Sequence, residues 1–377
     1  MPYTPEQFKN VRAYDCENEV QYVTSLASRV FGGGEAAEAH SGLDPQRLFD
    51  VARLNKMLAF LPAHPEALPP GCAGLAPKVD QVRLRILALN RRGIVSGAAV
   101  SRCLARAEIP HVHFKGPLQQ IALYGSYLQK PSGDIDILVP PAHRKQAAEM
   151  LRELGYDETE RAMSLWWTRF LSEIHLRDPE SGIVVDLHHG LQQAGLPRPY
   201  NLEGFLQRRS ELVFDEMTFQ VPSPLDRCLL AAISISKALL AREPALSNVT
   251  DMRAALHSLT PADHTALAGH AAQNGMAGTL ALAMRAVHSV FPELARTPAL
   301  SQAIFPEISE ADLCRMVSTP WIEGLCWPRR RHFLKALCGP GLPRFLRESL
   351  RAGLSELSHK AISSWNAGAF RQQESKP

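Results

Sequence analysis

Gly133-Asp134-Ile135-Asp136-Ile137-Leu138-Val139 is the stretch that decides the fold. Its strict alternation is the signature of a strand with one face in a core. Ile135, Ile137 and Val139 point one way, and Asp134, Asp136 and Leu138 the other. Carboxylates two residues apart on one strand have Cβ atoms about 6–7 Å apart. So placed, they repel each other unless a cation lies between them. A hard divalent ion such as Mg²⁺ takes carboxylate oxygens and leaves room for substrate phosphates. The apolar half of the strand anchors the pair rigidly.

Upstream, Ile109 to Phe114 reads as a short strand, and Lys115-Gly116-Pro117 then opens a helix with proline at its first position. A glycine there lets backbone amides approach an anion, the helix N-terminus favours negative charge, and Lys115 adds a point charge. Lys115-Gly116 therefore has the makings of a phosphate seat. Gly125-Ser126 lies at the far end of the same helix, where its amides face away from that seat. Downstream, Ala147, Met150, Leu151 and Leu154 mark a helix that ends at Gly155. Leu171–Arg177 and Ile183–His189 then flank Asp178-Pro179-Glu180-Ser181-Gly182, a hairpin signal.

The order β-α-β-α-β-β predicts a small mixed sheet in an α+β protein. Period two puts Val184, Asp186 and His188 on one strand face. If that strand lies beside the Asp134 strand, Asp186 brings a third carboxylate to the same site. Pairing Arg177 with Ile183 would set Ile174 opposite Asp186 and turn His175 away, and a one-residue slip would reverse this. On that pairing His175 stays out of the site. His188 is placed to meet a phosphate or a second substrate, or to orient Asp186.

The rest of the 377 residues reads mainly as helix. Residues 1–77 form an N-terminal helical segment and linker: the Gly32-Gly33-Gly34 run breaks regular structure, and Asp44 to Leu61 has helical spacing. Five prolines and two glycines from Pro62 to Pro77 make the linker. Residues 78–200 form the sheet-bearing core, opened by a long helix from Val79 to Ala107 with a break expected near Gly93. Residues 201–366 form a C-terminal helical domain, and 367–377 a disordered tail. Its locally basic run, Arg329-Arg330-Arg331, suits an anionic partner or a solvated face.

Hydrophobic residues at 45% and charged residues at 21% exclude wholesale disorder. A net charge of +3 is too mild to argue for nucleic acid or a membrane surface. No apolar run reaches the roughly 18 residues of a membrane span, the N-terminus lacks a signal pattern, and a cytoplasmic location is expected. Seven cysteines without a C-x-x-C pair suggest reduced thiols rather than a zinc cluster or disulfide framework.

In this order, Lys115-Gly116, Tyr124, Gly133 to Val139, Leu154-Gly155-Tyr156 and Val185-Asp186-Leu187-His188 resemble the uncharacterised nucleotidyltransferase family of the DNA polymerase beta superfamily. The resemblance is good over about 80–230. It implies a minimal nucleotidyltransferase sheet in which Asp134, Asp136 and Asp186 are catalytic and ligate Mg²⁺, or Mn²⁺. Lys115 and Gly116 would replace the superfamily's Gly-Ser turn at the phosphates. Relatives often carry an Arg before the first Asp; here Lys130 stands in its place, without Arg's bidentate reach. Asp251 resembles a family position near the pocket.

The activity implied is transfer of a nucleoside monophosphate from an NTP to a hydroxyl or phosphate of an acceptor, with release of pyrophosphate. A small molecule, peptide or protein is favoured as acceptor over long nucleic acid, because aromatic and basic residues do not interleave. Two other classes fit parts of the pattern: a D-x-D glycosyltransferase, and a nucleotide-binding scaffold without turnover.

Overall fold

The computed structural model describes Phe8, Val11 and residues 16–31, 42–159, 165–294 and 304–374, with side chains through residue 362. The Gly32-Gly33-Gly34 run lies outside the described residues.

Five strands form the main sheet: β1 (Val112–His113), β2 (Asp134–Leu138), β3 (Asp157–Glu158), β4 (Glu173–Arg177) and β5 (Val184–His188), in the order β1-β2-β5-β4-β3. β2 and β5 run parallel, with Asp136 opposite Asp186, and the other pairs are antiparallel. The mixed sheet follows from the alternation: Ile135, Ile137, Val139, Leu176, Val185 and Leu187 all enter one core. Helix α3 (Ala76–Arg106) supplies Val100 and Leu104 to that core, and α5 (Arg144–Glu153) supplies Ala147, Ala148 and Leu151. Between them, α4 (Gly116–Tyr124) starts directly after β1. The opposite sheet face carries the polar residues of β2, β4 and β5 and is turned toward the helical parts of the chain.

The helical parts share one large core, which joins α1 (Glu17–Arg29) and α2 (Pro45–Leu54) to the C-terminal helices. Those are α6 (Leu202–Gln207), α7 (Pro224–Ala241), α8 (Leu246–His257), α9 (Pro261–Gln273), α10 (Ala277–Val290), α11 (Glu310–Ser318) and α12 (Arg330–Cys338); α13 (Leu342–Glu374) lies outside this core and packs on α12. Helix α7 is apolar nearly all round and is correspondingly buried nearly all round. Ser223, Thr260 and Ser309 cap α7, α9 and α11 by accepting from the backbone amides of Asp226, Asp263 and Asp312.

Four expectations are revised. Helix α3 runs unbroken through Gly93, where a Cβ would make an ordinary 3.6 Å contact with Pro117. Residues 210–221, inside the stretch read as a helical domain, form the hairpin β6 (Ser210–Phe214) and β7 (Met217–Val221). Its turn, Asp215-Glu216, has both φ values positive (50° and 62°), a geometry normally flagged by Asn-Gly and here carried by residues without that signal. The 173–188 hairpin is offset by one residue: Arg177 pairs with Val184, and His175 with Asp186. Asp178 causes the offset. Its amide bonds the carbonyl of Ile183, its side chain accepts from the Glu180 amide, and Gly182 turns at φ 71°. Helix α13 continues through Glu374, into the stretch read as a tail.

One buried group behind the sheet sets a pH limit on the fold. His113 is 1% exposed and shares the Ser101 hydroxyl, 2.7 Å away, with His111 at 3.1 Å. Burial, then the neighbouring His111, drives its pKa down to about 3. The folded state thus refuses a proton that the unfolded chain accepts below its ordinary value of 6.5. Stability from this group is full above that value and falls as pH drops toward about 3. At pH 5 the loss is about 2 kcal/mol, and urea midpoints measured from pH 8 to 5 should fall more steeply for the wild type than for His113→Gln.

Candidate active site

The parallel pairing of β2 with β5, and the antiparallel pairing of β4 beside them, stack six polar side chains on one sheet face. Asp136, Asp186 and His175 form one row across three strands, and His188 and Glu173 begin the next. Asp134 stands on the same face of β2, at its exposed end. Asp136 is 4% exposed and bears two contacts on one oxygen: Lys115 Nζ at 2.8 Å and His188 Nε2 at 2.9 Å. His188 in turn sets Nδ1 3.5 Å from Glu173, and its ring meets Phe114 edge-on at 4.8 Å. His175 Nδ1 lies 2.8 Å from Asp186, and its ring rests 4.4 Å from that of Trp167.

The charges are strongly coupled. Desolvation first, then the charges of Asp136 and Asp186, lifts Asp134 to about 6. Burial alone would raise Asp136 as well, but Lys115 and His188 hold it well below the carboxylate range. Burial would lower His175, yet its bonds to Asp186 and Glu173 push it up to about 10. Glu173 is held down to about 2 against its burial by His188 and His175.

Asp136, Asp186 and His188 each offer one donor atom within 4.8 Å of the others. Two carboxylates, an imidazole and a third acid on the same face make a donor set that suits a divalent cation, and the residues fit such an ion.

The residues read as a phosphate seat stand at the start of α4. Gly116 has φ 73°, and a Cβ there would stand 3.4 Å from the Asp134 carbonyl oxygen. Gly116→Ala should therefore cost about 1–2 kcal/mol in denaturant titration, from the left-handed backbone. The loop leading into β2 is pinned from below by two fully buried amides. Asn90 donates to the Lys130 carbonyl and accepts from the Ser132 amide, while Gln120 accepts from the amides of Gln129 and Lys130. Gly125-Ser126 sits at the C-terminal end of α4, with Gly125 as its left-handed cap.

Lys130, read in the sequence as standing where relatives carry a phosphate-contacting Arg, lies on the loop that leads into β2. Its ammonium pairs with Asp251 on α8, which also accepts from the Tyr124 hydroxyl at 2.7 Å. The pair joins the entry loop of β2 to the helical region.

A family model described as "Uncharacterised nucleotidyltransferase" matches residues 41–292. The chain belongs to the uncharacterised nucleotidyltransferase family. Among solved structures, this nucleotidyltransferase is similar to the antibiotic-resistance factor ANT(2'')-Ia, with 12% identity over 49% of this chain and 94% of that one, at a TM-score of 0.34. It is also similar to the lincosamide antibiotic adenylyltransferase LnuA, determined with lincomycin bound, with 17% identity over 43% of this chain and 94% of that one, at a TM-score of 0.29. No curated protein matches. No helix among the described residues of the nucleotidyltransferase is long and apolar enough to cross a membrane.

Four residues of the site escape a reading of the sequence. His175 and Glu173 enter through the one-residue hairpin offset, which only the Asp178 cap with Gly182 announces. Lys237 of α7 lies within electrostatic reach of Glu173, and Lys56 at the end of α2 within reach of Asp134 and Lys130. Nothing local in the chain signals either, because both arrive by packing of separate helices.

Proposed function

We propose that the protein is a cytoplasmic Mg²⁺-dependent nucleotidyltransferase that moves a nucleoside monophosphate from an NTP to an acceptor hydroxyl. The observation that carries this reading is the in-register pairing of Asp136 with Asp186 on adjacent parallel strands, beside the start of α4. Asp134, Asp136 and Asp186 would hold the divalent ion, Mg²⁺ or Mn²⁺, with His188 as a neighbouring donor. When bound, the ion neutralises charge on the phosphates and on the departing pyrophosphate.

The chain's own groups do the rest. Backbone amides at the start of α4 and the Lys115 ammonium receive the triphosphate. His188 and Glu173 fix Asp136, and His175 fixes Asp186. The acceptor oxygen bonds the α-phosphorus, its proton passes to the Asp186 carboxylate, and the bond to the bridging oxygen breaks so that pyrophosphate leaves with the electron pair. Lys130, held by Asp251, keeps the β2 entry loop in place. Seven free thiols suit a reducing compartment.

The test is transfer from each NTP labelled on its α-phosphate, with Mg²⁺ and the small-molecule fraction of a cell extract. The reading predicts label in a new species and pyrophosphate in equal amount. Label that stays in NTP, or transfer of a γ-label with release of NDP, would contradict it.

A further inference from the structure

A cavity of about 570 Å³ lies between the loop after β5, the start of α12 and the middle of α13. One side-chain contact links it to the carboxylate row: the Trp167 ring lies tilted against His175 at 4.4 Å, and the adjacent Trp166 lines the cavity.

The walls divide by chemistry. One side is apolar, built from Trp166, Ala194, Leu240 and Leu334. The Trp166 indole is fixed in place: Nε1 donates to the Ser355 carbonyl at 2.9 Å, and its ring meets His359 edge-on at 4.9 Å. The other side is cationic, with Arg330, Arg331 and Lys360 against the single carboxylate of Glu356. Lys360 is paired with Glu356 at 3.0 Å, whereas Arg330 and Arg331 bond no described residue. This is the basic run of the sequence, exposed and lining the cavity's rim.

We infer that this cavity is the acceptor site and that the acceptor is a small amphiphilic anion: an apolar or aromatic body bearing a phosphate or carboxylate, with a hydroxyl that takes the nucleotidyl group. The inference rests on the transfer reading above and deepens it. The volume is that of a small-molecule site, which is why a peptide or protein is not the occupant chosen. The cationic wall lies beyond residue 292, outside the stretch that matches the family, so acceptor choice is written in this chain's own C-terminal helices. The atom balance is that of the proposed transfer: the acceptor O–H loses its proton to Asp186, an O–P bond forms, and pyrophosphate leaves.

The probe is 2-naphthyl phosphate, titrated into the full chain by calorimetry and tryptophan quenching, with 2-naphthol as the uncharged control. The inference predicts that the phosphate binds about 10-fold or more tighter than the naphthol, and that Arg330→Gln/Arg331→Gln removes this advantage. Gly353→Trp should abolish binding of both. No atom stands within 4 Å of a Cβ at Gly353, so the indole fills the cavity without disturbing the helix. Lacking a free hydroxyl, 2-naphthyl phosphate should also suppress transfer of α-label in the extract assay.

Equal affinity for the two naphthyl compounds, binding unchanged in either variant, or transfer undiminished at saturating probe would each overturn the acceptor site. NTP titrations on the same samples separate the two readings. A wild type that binds MgNTP but not the probe overturns the acceptor site alone. One that binds the probe but no NTP overturns the transfer reading and, with it, the acceptor assignment.

Discussion

Asp136→Asn is expected to slow pyrophosphate release from NTP, with water as the surrogate acceptor, by on the order of 10³-fold. The residue is buried at the centre of the row it forms with Asp186 and His175, and one of its oxygens takes both Lys115 and His188. Asparagine keeps the volume and removes the charge. The ion loses a ligand, Lys115 loses its counter-ion, and His188 loses the acceptor that fixes its ring. The stability cost should be smaller in proportion, about 1–2 kcal/mol, because a third of the Lys115 side chain is exposed and water screens what is left unpaired. A rate loss of that size with a largely retained urea midpoint separates a chemical role for Asp136 from a structural one. A rate within a few-fold of wild type would remove it from the reaction.

The largest effect on the fold should come from Asp226→Ala, far from the carboxylate row. Asp226 is 0% exposed at the start of α7, where it accepts from Arg208 Nε at 3.0 Å and Nη2 at 2.9 Å, and from Ser223 Oγ at 2.9 Å. His270 of α9 stands 2.8 Å from the same carboxylate. One acid thereby joins α6, α7 and α9, and its removal strands an arginine and a histidine near the core. The expected loss is about 3 kcal/mol, at the low end for breaking a buried pair because Arg208 is one-third exposed. His270 and Arg208 hold the Asp226 carboxyl below its ordinary value against its burial, so this contribution is present above that value and fades as pH falls through the folded one. Urea titrations at pH 7 and pH 3 should therefore show a larger gap between wild type and variant at pH 7.

What the residues reveal in advance follows the range of the interaction. Alternation in Asp134 to Val139 is a local signal with a core on one side, so both the strand and the shared face of the two acids can be read directly. The start of α4 is equally legible, because Lys115-Gly116-Pro117 states a strand end, a left-handed residue and a helix start in three residues. Strand register is different. One capped residue at Asp178 moved His175 across the sheet and brought it against Asp186, and a period-two pattern cannot see such a shift when Leu171–Arg177 itself alternates without a fixed end. The β6–β7 hairpin escaped because Asp215-Glu216 makes its turn with residues that do not advertise it. Lys130 was legible as a cation near the site, but Asp251, its partner, arrives from a helix more than a hundred residues away. The cationic cavity lining needed α12 and α13 to be packed beside Trp166 and the loop after β5, which no spacing in the chain encodes.

The most direct test of the account is calorimetric titration of each NTP into the wild type and into Asp134→Asn/Asp136→Asn, with and without Mg²⁺. The account predicts binding of at least one NTP that requires Mg²⁺ and is lost in the double variant while its circular dichroism is retained. A folded wild type that binds no NTP, or NTP binding that survives in the double variant with its Mg²⁺ dependence intact, would contradict it.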